Sequence, residues 1–331
     1  MLVGAHRVTP SPRSEGIPDA NQALARRPHR HRWRDSVTGH TADAQRRSRD
    51  LPVVVRPQWS GYALVLVRLG HGRREPGLRR HGPGRRDGAA VSFSLEGKTA
   101  VVTGARTGIG RAIARGLHDA GAQLILVGRG DLADVAPALA TVSVDLADPA
   151  SIEPALAPVL AEHRVDVLVN NAGTIHRGAA VDVSLADWQR VMAVNLDSAF
   201  EISKLCGAQM IANGGGKVVN IASLLSFQGG ILVSAYTASK HALVGMTKLL
   251  ANEWAASNVQ VNAIAPGYVE TNNTAPLRAD PDREPAIRGR IPAGRWGTPE
   301  DLVGPAVFLS SSASDYVTGH VLVVDGGWLA R

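Results

Sequence analysis

From Lys98 to its end the chain repeats one pattern: a short apolar run, a turn, and a stretch with helical spacing. The apolar runs are 99–103, 123–127, 142–144, 165–170, 217–222, 260–265 and 321–325. Helical stretches lie between them at 111–120, 152–162, 184–213, 235–257 and 299–311. A strand that is apolar at consecutive positions needs cover on both faces, which a parallel sheet flanked by helices supplies. Right-handed crossovers then make that sheet doubly wound. The expected fold class is α/β, a single doubly wound parallel-sheet domain over residues 91–331.

The first 90 residues do not follow this pattern. They hold 18 Arg, no Lys and 7 acidic residues, a net +11, whereas the remaining 241 residues carry −4. The overall charge of +7 therefore describes the first segment and not the domain. Neither a helical nor a strand period is sustained there, and high charge with little apolar content predicts disorder. The segment is expected to be an Arg-rich extension or a mis-annotated start: translated GC-rich DNA gives Arg without Lys, and the domain text begins at Phe93. A basic nucleic-acid arm is the weaker reading, and the expectation is no nucleic-acid partner. The lone cysteine, Cys206, excludes an internal disulfide and a cysteine-cluster metal site. No metal site is expected. No apolar run approaches the roughly 18 residues of a membrane span, so no membrane partner is expected, and the single cysteine fits a reducing, cytoplasmic setting.

Chemistry gathers at the ends of the apolar runs. The first run leads into Thr103-Gly104-Ala105-Arg106-Thr107-Gly108-Ile109-Gly110, then a helical stretch. Glycines allow a tight turn and a close backbone approach, and the helix N-terminus offers free N–H groups to a pyrophosphate. The second run ends Val127-Gly128-Arg129. An acidic residue at 128 would hold the ribose hydroxyls of NAD, whereas glycine followed by arginine invites the 2′-phosphate of NADP; Asp131 lies too far along the loop. Asp145 closes the third run and can accept from an adenine amino group. Asn170-Asn171-Ala172-Gly173 closes the fourth, with small residues that leave room for a flat ring and carboxamides that can pin the neighbouring backbone.

Tyr236 and Lys240 sit four apart at the start of a helical stretch and share a face. A phenol has pKa near 10, and a neighbouring ammonium favours the phenolate. The pair can exchange a proton with an alcohol/ketone couple. Ser223, after the fifth run, can hold the substrate oxygen. Asn195 interrupts a helical stretch at a cost in propensity and could bind a water that relays protons to Lys240.

In that order, these residues resemble the short-chain dehydrogenase/reductase family over 94–331. The resemblance implies a single Rossmann-type domain, hydride transfer with NAD or NADP, and a homotetramer. It implies Tyr236 as acid/base, Ser223 polarising the oxygen, Lys240 binding ribose and lowering the Tyr236 pKa, and Asn195 holding the relay water. It implies cofactor contacts at Gly104, Arg106, Thr107, Gly108, Ile109 and Gly110, at Arg129, Asp145 and Leu146, and at Asn171, Ala172 and Gly173. Tyr236, Lys240, Pro266, Gly267, Val269 and Thr271 complete that set. Phe93–Lys98, Ser226–Gly230, Thr271–Thr274 with Leu277–Asp280, Arg290–Gly297 and Asp325–Arg331 further resemble bacterial 2-dehydro-3-deoxy-D-gluconate 5-dehydrogenases, also called 2-deoxy-D-gluconate 3-dehydrogenases. That group is largely NAD-linked, so the sequence admits either nicotinamide.

A sugar-acid substrate needs a basic reader in an acidic domain, and Arg suits a carboxylate. Arg177 and then Arg278 are the expected readers, ahead of Arg290 and Arg295, with Gln228 on a sugar hydroxyl. The segment 272–297 is expected to be a mobile lid. Another alcohol/ketone pair, such as that of a 3-oxoacyl carrier reductase or a polyol dehydrogenase, is the alternative. A non-catalytic dinucleotide-binding regulator is the alternative of another kind.

Overall fold

The computed structural model describes residues 92–331; the expectations for 1–90 lie outside the described residues. Seven strands, β1 Thr99–Thr103, β2 Gln123–Gly128, β3 Ala140–Ser143, β4 Val167–Asn170, β5 Gly216–Ile221, β6 Val259–Pro266 and β7 Val321–Val324, form one sheet in the order β3-β2-β1-β4-β5-β6-β7. Every pairing is parallel. The eight α-helices of the described residues are α1 Gly108–Asp119, α2 Ile152–Glu162, α3 Leu185–Met192, α4 Ser198–Ala212, α5 Ser234–Trp254, α6 Ala275–Arg278, α7 Arg283–Arg290 and α8 Val303–Ser310. This is the expected doubly wound, Rossmann-type sheet.

Alternate residues of each strand feed two separate cores, which is why the strands are apolar throughout. Val102, Leu124, Leu126, Val169 and Ile264 pack with Ile113 and Leu117 of α1 and Leu309 of α8. Val101, Ile125, Val127, Leu168 and Val261 face the other way, onto Leu156 of α2, Ile202 of α4 and Leu243 of α5. Truncating any such fully buried Leu or Ile to Ala costs about 2–5 kcal/mol.

One expectation about an element needs correction. The stretch 184–213 is not one helix: α3 and α4 are separated by a π-helical turn at Ala193–Asp197, and Asn195 is inside it. The extra residue in that turn lets the carboxamide leave the helix and bond elsewhere, as described below. The segment 272–297 is ordered into a 3-10 turn at Asn272–Thr274, α6 and α7. Only Ile287 is buried on α7, so this segment gets little anchorage from its own helices.

The strand order reverses between β1 and β4. Ligands of doubly wound sheets bind outside the carboxyl ends of the strands at such a switch point, and a cleft lies there.

Candidate active site

The cleft has a volume of about 460 Å³. Its floor is the turn from β1 into α1. Gly104 has φ +65°, and a Cβ there would lie 2.8 Å from Ala172 Cα. A Cβ on Gly110 would lie 2.2 Å from Asn171 Nδ2. Gly108, at φ +57°, stands against Thr271, whose Cγ2 would be 3.4 Å from an added Cβ. Side chains at Gly104 and Gly110 would collide with the β4 exit, so the turn packs tightly against Asn171 and Ala172. Thr107, the N-cap of α1, makes no side-chain cap bond, so the helix start is open to an external anion.

The β4 exit is stitched to that floor. Thr103 Oγ1 accepts from the backbone N–H of Asn171 and of Ala172, both at 3.0 Å. Asn171 Nδ2 donates to Thr103 O at 2.9 Å and to Gly104 O at 3.1 Å. The carboxamide thus pins the glycine turn, as expected, and Ala172 and Gly173 leave the wall flat.

Four cations line the cleft, Arg106, Arg129, Arg190 and Lys240, against one carboxylate, Asp145. Arg129 stands 3.8 Å from Asp145, and both side chains are exposed. Arg106 reaches over the turn after β2, where its Nη1 would lie 3.7 Å from a Cβ on Gly130. Asp145 accepts from Ala147 N at 3.1 Å and closes a turn, while Leu146 lines the wall beside it. Asp131 likewise accepts from Ala133 N. Pro266, Gly267, Val269 and Thr271 form the opposite wall. An open helix N-terminus, glycines that cannot carry a side chain and a cationic rim fit an anionic dinucleotide.

At the other end stand Ser223, Tyr236 and Lys240. Ser223 caps the 3-10 turn Leu224–Ser226, accepting from Leu225 N at 3.1 Å, and still faces the Tyr236 phenol. Burial pushes the Tyr236 phenol above its usual pKa; the Ser223 hydroxyl and the Arg177 charge pull it back down. Lys240 stands beside the same ring. Its Nζ donates to Ile221 O at 2.6 Å and sits 5.8 Å from the Tyr236 ring centroid. Burial alone holds the amine down at about 8.

Asn195 ties two segments together. Its Oδ1 accepts from Thr174 N at 2.8 Å, and its Nδ2 donates to Thr174 O and to Ser239 Oγ, both at 3.0 Å. Through these bonds the side chain closes the 171–174 loop onto α5.

Of the expected substrate residues, Arg177 reaches the cleft's rim, donating through Nη2 to Asn273 O at 2.7 Å. Arg278 does not line the cleft and pairs with Glu270 at 3.5 Å. Arg290 stacks on Trp328 at 3.9 Å, and Arg295 is held by both oxygens of Asp301. Gln228 lies outside the cleft, on the turn that follows Leu224. Arg190, Thr174 and Asn272–Thr274 line the cleft and were missed. Arg190 sits one helical turn before Val194, itself a lining residue, so its position was readable once that face was chosen.

The profile of the family described as enoyl-(acyl carrier protein) reductase matches residues 104–329. The 2-dehydro-3-deoxy-D-gluconate 5-dehydrogenase of Bacillus subtilis (strain 168) is 53% identical over 248 residues, covering 72% of this chain and 98% of that protein. The chain belongs to the short-chain dehydrogenase/reductase family. It is an oxidoreductase of the NAD(P)-dependent dehydrogenase class. Two solved members of the family carry bound NADP. One, provisionally described as an NAD(P)-dependent gluconate 5-dehydrogenase from Beutenbergia cavernae, is 56% identical, with TM-score 0.71 over 72% of this chain and 99% of that one. The other, provisionally described as a 2-deoxy-D-gluconate 3-dehydrogenase from Agrobacterium tumefaciens, is 54% identical, with TM-score 0.68 over 72% and 99%. Among the described residues no helix is long and apolar enough to cross a membrane, and no group of three His, Cys, Asp or Glu is placed to hold a metal ion.

Proposed function

We propose that this protein interconverts a secondary alcohol and a ketone on a six-carbon sugar acid of the 2-dehydro-3-deoxy-D-gluconate kind, with NADP or NAD. One observation carries the reading. Ser223, Tyr236 and Lys240 meet in the wall of a cationic cleft, in a chain about half identical to enzymes of that name. In this reading the α1 N-terminus and the glycine turn hold the pyrophosphate, Arg106 and Arg129 the 2′-phosphate, and Asp145 the adenine amino group. Lys240 holds the ribose, and the wall from Pro266 to Thr271 carries the nicotinamide end. A nicotinamide so held supplies or accepts the hydride.

The chain supplies the proton and the placement. Tyr236 Oη gives its proton to the carbonyl oxygen in reduction and takes one from the hydroxyl in oxidation. Ser223 Oγ, which faces it, holds the same oxygen. The Arg177 charge favours the phenolate, so a group that burial would leave a poor base is kept usable. Asn195 positions the loop from which Arg177 projects.

Arg177 also reads the substrate carboxylate. Arg177→Ala is expected to raise KM for the keto sugar acid strongly and KM for a neutral ketone of similar size little. A cofactor-absorbance assay over 3-deoxyhexulosonates, gluconates, neutral ketones and acyl thioesters tests this. Equal KM changes for charged and neutral substrates would remove the carboxylate role, and preference for an acyl thioester would replace the sugar-acid reading. A homotetramer in the cytoplasm completes the proposal. Exposed Phe200 and Ile211 on α4 and Leu249 on α5 offer apolar surface for assembly, and light scattering tests it.

A further inference from the structure

The segment from Asn272 through α7 starts at the substrate end of the cleft, where Asn272–Thr274 line it and Asn273 meets Arg177. Its own helices bury one residue, Ile287. What covers their inner side is the end of the chain. Trp328 is buried at 4% exposure among Ile287, Ile291, Trp296 and Leu224. Leu224 directly follows Ser223. The Arg290 guanidinium lies 3.9 Å over the Trp328 ring. Tyr268, next to the lining residue Val269, is 4.7 Å from the Trp328 ring and 5.4 Å from Trp296.

The backbone of the tail is fitted to the same helix. Gly326 and Gly327 have φ +64° and +93°, and a Cβ would meet Ile291 at 2.9 Å or Pro292 at 3.0 Å. Gly326 O accepts from Ala293 N at 3.0 Å. Asp325 holds the turn by accepting from Gly327 N and Leu329 N, both at 2.8 Å. The last residue, Arg331, donates to Gly289 O at 3.1 Å and to Arg290 O, the free carbonyls at the end of α7.

We propose that residues 325–331 are a strap that positions the 272–290 lid over the substrate, with Trp328 and Arg331 as positioning residues. The tail adds no group to the chemistry. It fixes the inner face of α7, and through Leu224 and Tyr268 it bears on both walls of the substrate end. Trp328 Nε1 is buried without a partner, so the indole is retained for its bulk and not for a hydrogen bond. Phenylalanine is therefore expected to replace it, and alanine not.

The lid part of this inference is independent of the substrate; its consequence for KM rests on the sugar-acid reading. The test uses the full chain with Arg331→Ala, Trp328→Ala and Trp328→Phe. Trypsin cleavage after Arg278, Arg283 and Arg288 is followed by mass, because cleavage of a transiently open segment tracks its opening equilibrium. Arg331→Ala and Trp328→Ala are expected to speed lid cleavage by about tenfold. They should leave NADPH affinity within about twofold and raise KM for the keto acid more than they lower kcat. Trp328→Phe should behave as the wild type. Unchanged lid cleavage in Arg331→Ala overturns the strap, and this exposed variant decides alone if Trp328→Ala fails to fold. A fall in NADPH affinity equal to that for substrate also overturns it, since the tail would then be ordinary core. If the wild type turns over no sugar acid, the functional reading fails while lid cleavage still judges the strap.

Discussion

Lys240 should make the cofactor-free protein less stable than an apolar residue in its place. The amine is 4% exposed, and burial alone lowers its pKa from 10.5 to about 8. Among the described residues it forms no ion pair; its one hydrogen bond is to Ile221 O at 2.6 Å. A depression of that size corresponds to roughly 3 kcal/mol against the charged form, at 1.36 kcal/mol per unit. Below pH 8 the amine is protonated folded and unfolded, so the whole cost is present. Between pH 8 and 10.5 the unfolded state binds more protons, stability rises with pH, and the cost fades. Lys240→Met keeps the length and removes the charge. It also leaves Ile221 O without its donor, which costs about 1–3 kcal/mol. The net expectation at pH 7 is a gain of about 0–2 kcal/mol with activity abolished. Urea unfolding of both proteins at pH 7, 8.5 and 10 measures it. The advantage of the variant should shrink steadily across that range and reverse once the wild-type amine is neutral in both states. A variant that is less stable at pH 7, or a difference constant from pH 7 to 10, would refute the account of Lys240 as an uncompensated buried charge.

Other expectations concern the chemistry and the cofactor. Tyr236→Phe should lower turnover by about 10²–10⁴-fold, the usual worth of a general acid/base, with NADPH affinity nearly unchanged by titration; a variant keeping a tenth of the rate would move the proton to another group. Arg129→Ala should weaken NADP by roughly 1.5 kcal/mol, the low end for a charge-assisted bond on an exposed side chain, and spare NAD. Arg106→Ala should do the same from the other side of the phosphate. Equal losses for both nicotinamides in calorimetry would show that neither guanidinium reads the 2′-phosphate.

Much of this site was legible because its parts are local in sequence. The glycine turn, the Asn170–Gly173 exit and the Tyr236–Lys240 pair each depend on backbone geometry within a few residues, and the strand order follows from alternation and handedness. Strand ends shifted by a residue or two, since the last paired residue depends on the neighbouring strand: β3 begins at Ala140 because it pairs with Ile125. The π turn at Asn195 was visible only as an ill-suited residue in a helix. The carboxamide's real partners, Thr174 and Ser239, come from two other segments.

The arginines show where sequence stops. Arg177, Arg278, Arg290 and Arg295 all lie on loops or short helices beyond the strand ends, and the sequence could rank them but not tell which would be paired. Three are held by partners that no spacing announces: Glu270, the Trp328 ring and Asp301. Those partners lie 8, 38 and 6 residues away, and each neutralises or stacks a guanidinium that would otherwise be free to meet a carboxylate. Arg177 differs because its bond is to a backbone carbonyl, which leaves the charge unneutralised. The same residue also pulls the Tyr236 phenol's pKa down. A carboxylate arriving at Arg177 would offset that charge and raise the phenol's proton affinity as the substrate binds. The protonated form needed to reduce a ketone would thus be favoured by the substrate's own acid group, and a neutral ketone would lack the effect. The pH dependence of reduction should then extend to higher pH for the sugar acid than for a neutral ketone, and Arg177→Ala should abolish the difference. Identical profiles in the wild type would break this link between carboxylate recognition and proton transfer.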